Sequence, residues 1–178
     1  MNGGQHELTA CTGSNRCRGG SGIANFTNHY DIGTVTKHGR KTLAEFFPEY
    51  IEVLARKVYR NHILDIRVEG HTSSEWGQHS GTDRSYFRNL TLSQARAREV
   101  AEYLREVKER SRGSQVIDRV LSMEWEWLKA RMTVTGLSSS KPVYFDGTWK
   151  ENKDCSRRVE FRVITDSEDK LRRILKSR

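Results

Sequence analysis

The sequence runs to 178 residues, with 31 Lys and Arg against 23 Asp and Glu and a formal net charge of +8. Hydrophobic residues make up 35%, charged residues 30%, and the mean hydropathy is −0.77; aliphatic and aromatic side chains nevertheless recur along most of the chain, which argues against wholesale disorder. No apolar run approaches the ~20 residues of a membrane-crossing helix, and the first twenty residues hold no hydrophobic stretch of signal-peptide length.

Residues 1–21 are rich in Gly, Ser, Asn and Thr without periodicity and read as a flexible arm. Cys11 and Cys17 within it are spaced either to close a small disulfide loop in an oxidising compartment or to stay as two free thiols. Cys155 stands far away, and no second pair suggests a zinc site. Gly22–Phe26 reads as a short strand, followed by a polar loop to Arg40. From Lys41 onward Leu43, Phe46, Phe47, Tyr50, Ile51, Leu54 and Val58 recur at spacings of three and four, predicting an amphipathic helix. Pro48 either kinks this helix or sits in its first turn.

In residues 63–70, Leu64, Ile66 and Val68 alternate with Asp65, Arg67 and Glu69, the pattern of a half-buried strand. Thr72–Phe87 reads as a long polar loop. A second helix is expected from Leu92, with Ala95, Val100, Tyr103, Leu104 and Val107 on one side. Val116–Leu128 is either a helix or a helix-to-strand bridge. Met132–Gly136 is a short strand, and Val159, Phe161 and Val163 alternate with charged residues in a last one. Asp166 or Ser167 then caps a terminal helix through Leu171, Ile174 and Leu175. This order predicts an α/β (α+β) two-layer sandwich, a mixed sheet with helices packed on one face.

A candidate binding site lies between the strand that ends at Gly70 and the helix expected at Leu92. Glycine lets the chain turn without a side chain in the way. Thr91 or Ser93 would cap the helix, and Arg96 would sit about one turn in. There a guanidinium grips a carboxylate in bidentate fashion, reinforced by free amides at the helix start. On the residues alone, an ordinary surface arginine is the better reading of Arg96.

Three ordered motifs go further: Gly70-His71-Thr72-Ser73; Arg88-Asn89 followed by Leu92-Ser93 and Arg96-Ala97; and Ser156-Arg157-Arg158-Val159-Glu160. Together they resemble the OmpA-like (OmpA/MotB C-terminal) domain over about residues 22–165, which implies a βαβαββ core with the C-terminal helix, residues 166–178, appended. The resemblance implies non-catalytic binding of the peptidoglycan stem peptide, chiefly its diaminopimelate residue, with no cofactor and no metal. Carried across by position, Arg96 would hold the ligand carboxylate, Asn89 would hydrogen-bond the stem, Arg157 would be the first arginine of the late pair and Leu92 would shape the pocket wall. His71 and Thr72 would brace the strand end. Ser73 stands where the family has an aspartate for the ligand ammonium. A serine hydroxyl accepts a hydrogen bond but brings no charge, and Glu75 or Asp83 could replace it.

The resemblance places the chain in the periplasm or cell envelope, its anchor outside the present sequence. It implies peptidoglycan as partner, with a membrane-anchored stator or envelope complex in the longer protein and a homodimer as a further option. The alternative is an OmpA-like scaffold that has lost its ligand and serves protein–protein contact. Nucleic-acid binding would have only the charge and Trp125, Trp127 and Trp149 behind it and is not expected. His6, His29, His38, His62, His71 and His79 show no metal-ligand spacing, and neither a nucleophile elbow nor a carboxylate pair marks an enzyme.

Overall fold

A computed structural model describes residue 35 and residues 37–75, 82–110 and 117–167. The expected first strand, the Cys11–Cys17 spacing and the terminal helix lie outside the described residues. Helix α1 spans Lys37–Leu54 and presents Leu43, Phe47, Tyr50 and Ile51 to the core. It starts four residues before the expected Lys41, so Pro48 lies well inside it rather than in its first turn. Val58 does not belong to it: the chain breaks at Ala55-Arg56, and Val58 falls on the short, exposed helix α2 (Lys57–Arg60).

Strand β1 (Ile63–Gly70) occupies the middle of a three-stranded sheet. It pairs parallel with β2 (Met132–Gly136) and antiparallel with β3 (Val159–Thr165). A register shift between Ile63 and Asp65 turns Ile63 inward and leaves Leu64 exposed, against the simple alternation. Ile66, Val68, Val159 and Phe161 face the helices, with the Phe161 ring 5.5 Å from that of Phe47.

The remaining helices are α3 (Thr82–Arg110), α4 (Ile117–Lys129) and the one-turn α5 (Lys153–Ser156). The ambiguous segment with Trp125 and Trp127 is thus helical. Trp125 and Leu128 are buried against the core, and the guanidiniums of Arg60 and Arg131 lie over the Trp127 ring, 5.5 and 5.2 Å from its centre. Arg40 ties α1 to α3 through an ion pair with Glu99 at 2.8 Å and by lying over the Tyr103 ring. The α+β sandwich with a mixed sheet is the architecture observed. No helix among the described residues is long and apolar enough to cross a membrane.

Two glycines set how closely α3 approaches the sheet. A Cβ on Gly70 would stand 2.0 Å from the Ser93 carbonyl oxygen, and one on Gly136 would stand 2.6 Å from the Gln94 amide nitrogen. Both obstacles are backbone, so neither moves without shifting the helix. Gly70→Ala is therefore expected to cost at least the ~1–3 kcal/mol of an overpacked core, lowering the melting temperature by several degrees. A thermal melt matching the parent's would show that the helix does not lie this close.

Candidate functional site

The inward face of α3 changes character along its length. Its later part buries Ala97, Val100, Leu104 and Val107, whereas its earlier part buries Ser85, Asn89, Ser93 and Arg96 on the same stripe. This polar half lies over the end of β1 and the segments leaving β1 and β2. The helix starts at Thr82, ten residues before the expected Leu92, so the polar loop is shorter and Arg96 sits about four turns into the helix. Asn89 is helical too. Thr91 and Ser93 do not cap: their hydroxyls donate to the Phe87 and Leu90 carbonyls one turn back. Free helix-end amides therefore play no part beside Arg96. The buried polar stripe hid the helix start, because periodicity arguments look for apolar residues at those positions.

The buried polar groups hold the strand ends in place. Arg96 NH1 donates to the His71 carbonyl at 3.0 Å, and the His71 amide donates to the Arg158 carbonyl at 2.9 Å. Ser93 Oγ accepts from the Ser138 amide at 2.9 Å, Ser138 Oγ donates to the Tyr86 carbonyl at 3.0 Å, and the Ser138 carbonyl accepts from the Thr72 amide at 3.0 Å. Ser138 adopts φ 54° and is fully buried, a left-handed conformation held by three hydrogen bonds. Sequence reading missed Ser138, since a lone serine after Gly136-Leu137 carries no signal. Thr72 Oγ1 is buried and has no hydrogen-bond partner among the described residues.

The surroundings of Ser73, which the resemblance sets where the family has an aspartate, hold a different acid. Ser73 is buried and donates its hydroxyl to Glu75 Oε2 at 3.1 Å. Glu75 also meets Arg157 NH1 at 2.9 Å and Lys153 Nζ at 3.2 Å. Burial pushes the Glu75 carboxyl up, but hydrogen bonds from Lys153 and Ser73 and the charges of Arg157 and Lys153 outweigh it and hold the group below its ordinary value. Of the two acids expected to replace the missing aspartate, Glu75 is thus the one joined to Ser73. Asp83 lies exposed in the first turn of α3.

Arg157 is brought in by α5. Asn152 caps this turn by accepting from the Cys155 amide at 3.2 Å, and Ser156 Oγ accepts from the Val143 amide at 3.0 Å. Cys155 is buried and disulfide-bonded, so it is not a free thiol. Arg157 pairs with Glu75 and Asp154. Burial first, and the charge of Arg157 second, lower the Arg96 pKa to about 10. Ser73, Arg96 and Arg157 converge at the end of β1, and Asn89 lies two turns before Arg96 on the same helix face. Leu92 is half-buried on α3.

His71 is fully buried, and its pKa is lowered to about 3, by burial first and then by Arg158, Lys141 and Arg162. It is neutral in the folded protein, so its 3.7 Å approach to Glu160 is not an ion pair.

No family model matches the chain. Over 133 residues it is 37% identical to the Zorya protein ZorB of Escherichia coli, a stretch covering 75% of this chain and 51% of that protein. The chain is similar to ZorB. It spans about half the length of that relative. Among solved structures, the C-terminal domain of Helicobacter pylori MotB aligns with 88% of this chain and 98% of its own at 18% identity and a TM-score of 0.48. The peptidoglycan-associated lipoprotein of Burkholderia pseudomallei aligns with 80% of this chain and 90% of its own at 15% identity and a TM-score of 0.44.

The neutral His71 has a stability signature. Its folded pKa lies below the unfolded value of 6.5, so its contribution is complete above pH 6.5 and is lost as pH falls toward about 3. In chelator-treated buffer, stability relative to His71→Gln is expected to fall by up to ~1.4 kcal/mol per pH unit below pH 6.5. Parallel stability curves for parent and variant would show that His71 protonates freely in the fold.

Proposed function

We propose that this chain is an OmpA-like, non-catalytic anchoring domain that grips the peptide stem of peptidoglycan. In this reading it works in the cell envelope, as part of a longer protein in a membrane-anchored, stator-type assembly of the Zorya kind. The similarity to ZorB and the three ordered motifs support the assembly and the wall as partner. The site supports the chemistry. One observation carries it: a buried arginine, Arg96, is held against the His71 carbonyl just past the end of β1, and Arg157 is tied to Ser73 of the same segment through Glu75, so that a carboxylate entering there gains charge-assisted hydrogen bonds. A diaminopimelate end group carries both a carboxylate and an ammonium. Arg96 and Arg157 take the first, with Asn89 and Thr72 as hydrogen-bonding neighbours. Glu75, steadied by Ser73, takes the second in place of the family aspartate. The net charge of +8 suits an acidic polymer.

The scaffold reading has one observation in its favour. Arg157 is already paired with Glu75 and Asp154, so the late arginine is neutralised within the chain.

Sedimentation with purified sacculi separates the two. The parent should co-sediment, and Arg96→Ala, Asn89→Ala and Arg157→Ala should each weaken binding by about ten- to a hundred-fold, the scale of a lost hydrogen bond to a charged group. Failure of the parent to sediment favours the scaffold, and Arg96→Ala binding as well as the parent removes the site assignment. Glu75→Gln decides the role of the acid. Weaker binding marks it as the ammonium partner, whereas tighter binding marks it as a plug on Arg157.

A further inference from the structure

On the sheet face turned away from the helices, β1 and β3 set Glu69 directly opposite Glu160, and His71 follows two residues after Glu69. Like charges facing one another across antiparallel strands repel, and here both carboxylates are buried, at 3% and 6% exposure, beside a fully buried imidazole. One ligand atom from each residue lies within 4.8 Å of the others, and His71 Nε2 stands 3.7 Å from Glu160 Oε2. Arg158 occupies the other Glu160 oxygen at 2.5 Å. Arg162 lies 3.5 Å from Glu69 Oε2 and 3.8 Å from Glu160 Oε2. Among the described residues, neither His71 ring nitrogen nor Glu69 Oε2 has a hydrogen-bond partner. Buried polar atoms left this way call for an unseen water or ion.

We propose that Glu69, His71 and Glu160 form a binding site for a divalent transition-metal cation of the zinc class. An imidazole nitrogen and two carboxylate oxygens are ligands that zinc accepts at ~2.0–2.2 Å, with a further position left for water. The imidazole favours such an ion over calcium or magnesium. A bound cation satisfies a histidine nitrogen and Glu69 Oε2 together and removes the carboxylate repulsion. Arg158 keeps its oxygen of Glu160. Arg162, whose side chain is 23% exposed, is the competitor: it sits against the two oxygens the ion takes and must swing toward solvent. The cluster is hidden in the sequence because Glu160 reaches it from the far strand rather than from a helical or loop spacing.

The site also touches the anchoring reading without depending on it, because the carbonyl of His71 is the acceptor for Arg96. A metal on the His71 ring fixes the strand end that carries this acceptor.

Titration of the chelator-treated protein with zinc chloride, followed by calorimetry and by thermal melting, tests the proposal. The parent should bind one ion that His71→Gln and Glu160→Gln fail to bind, with at least a tenfold loss of affinity in each. Arg162→Gln, which removes the competing cation and no ligand, should bind zinc several-fold more tightly and gain a larger zinc-dependent rise in melting temperature. Should the two ligand variants fail to fold, Arg162→Gln alone remains decisive. The proposal is overturned if the parent binds no zinc, if His71→Gln binds zinc as the parent does, or if Arg162→Gln leaves affinity unchanged or lower.

Discussion

Contact between the backbone of α3 and the ends of β1 and β2, with no side chain between them, is the constraint on which the rest of the molecule depends. Gly70 and Gly136 make it, since a single methyl group on either would meet helix backbone well inside van der Waals distance. At that range Ser93 reaches the Ser138 amide, Gln94 Oε1 reaches the Gly136 amide at 2.6 Å, and Arg96 reaches the His71 carbonyl. Each bond satisfies a backbone group that the strand ends would otherwise leave unpaired in a buried place. Polar residues on α3 are thus structural requirements first, and the site is assembled from the same residues.

This explains the division along α3. Where the helix lies over the middle of the sheet, it meets side chains and buries Ala97, Val100 and Leu104. Where it lies over the strand ends, it meets backbone amides and carbonyls and must answer with hydroxyl, amide and guanidinium groups. A buried arginine results, with its pKa lowered by desolvation and by Arg157. The same strand end serves both faces: the carbonyl of His71 turns to Arg96, while its ring lies beside Glu69 and Glu160 on the opposite side of the sheet.

The strands were legible in the sequence wherever one face is apolar and the other charged. Ile66, Val68, Val159 and Phe161 therefore appeared in their proper places, while the shift near Leu64 did not, because a bulge leaves no mark on composition. Helix α1 was legible from Leu43, Phe47 and Ile51, but the start of α3 was not, because Ser85 and Asn89 put polar side chains at the buried positions where periodicity looks for apolar ones. For the site, motif order pointed to Asn89, Arg96 and Arg157. The departures from the family pattern left the acid open, and only geometry joins Glu75 to Ser73. Ser138 and the Glu69–His71–Glu160 cluster come from long-range pairing, which no local spacing reveals.

The most direct test of the central claim, that the polar half of α3 and the end of β1 form a carboxylate-binding site, is an NMR titration of labelled protein with a soluble stem peptide containing diaminopimelate. Saturable shifts are expected at the amides of Thr72, Ser73, Asn89, Ser138 and Arg157, and a stem whose terminal carboxylate is amidated should produce much smaller ones. Shifts confined to the exposed 144–149 segment, or none at these five amides at millimolar peptide, would contradict it.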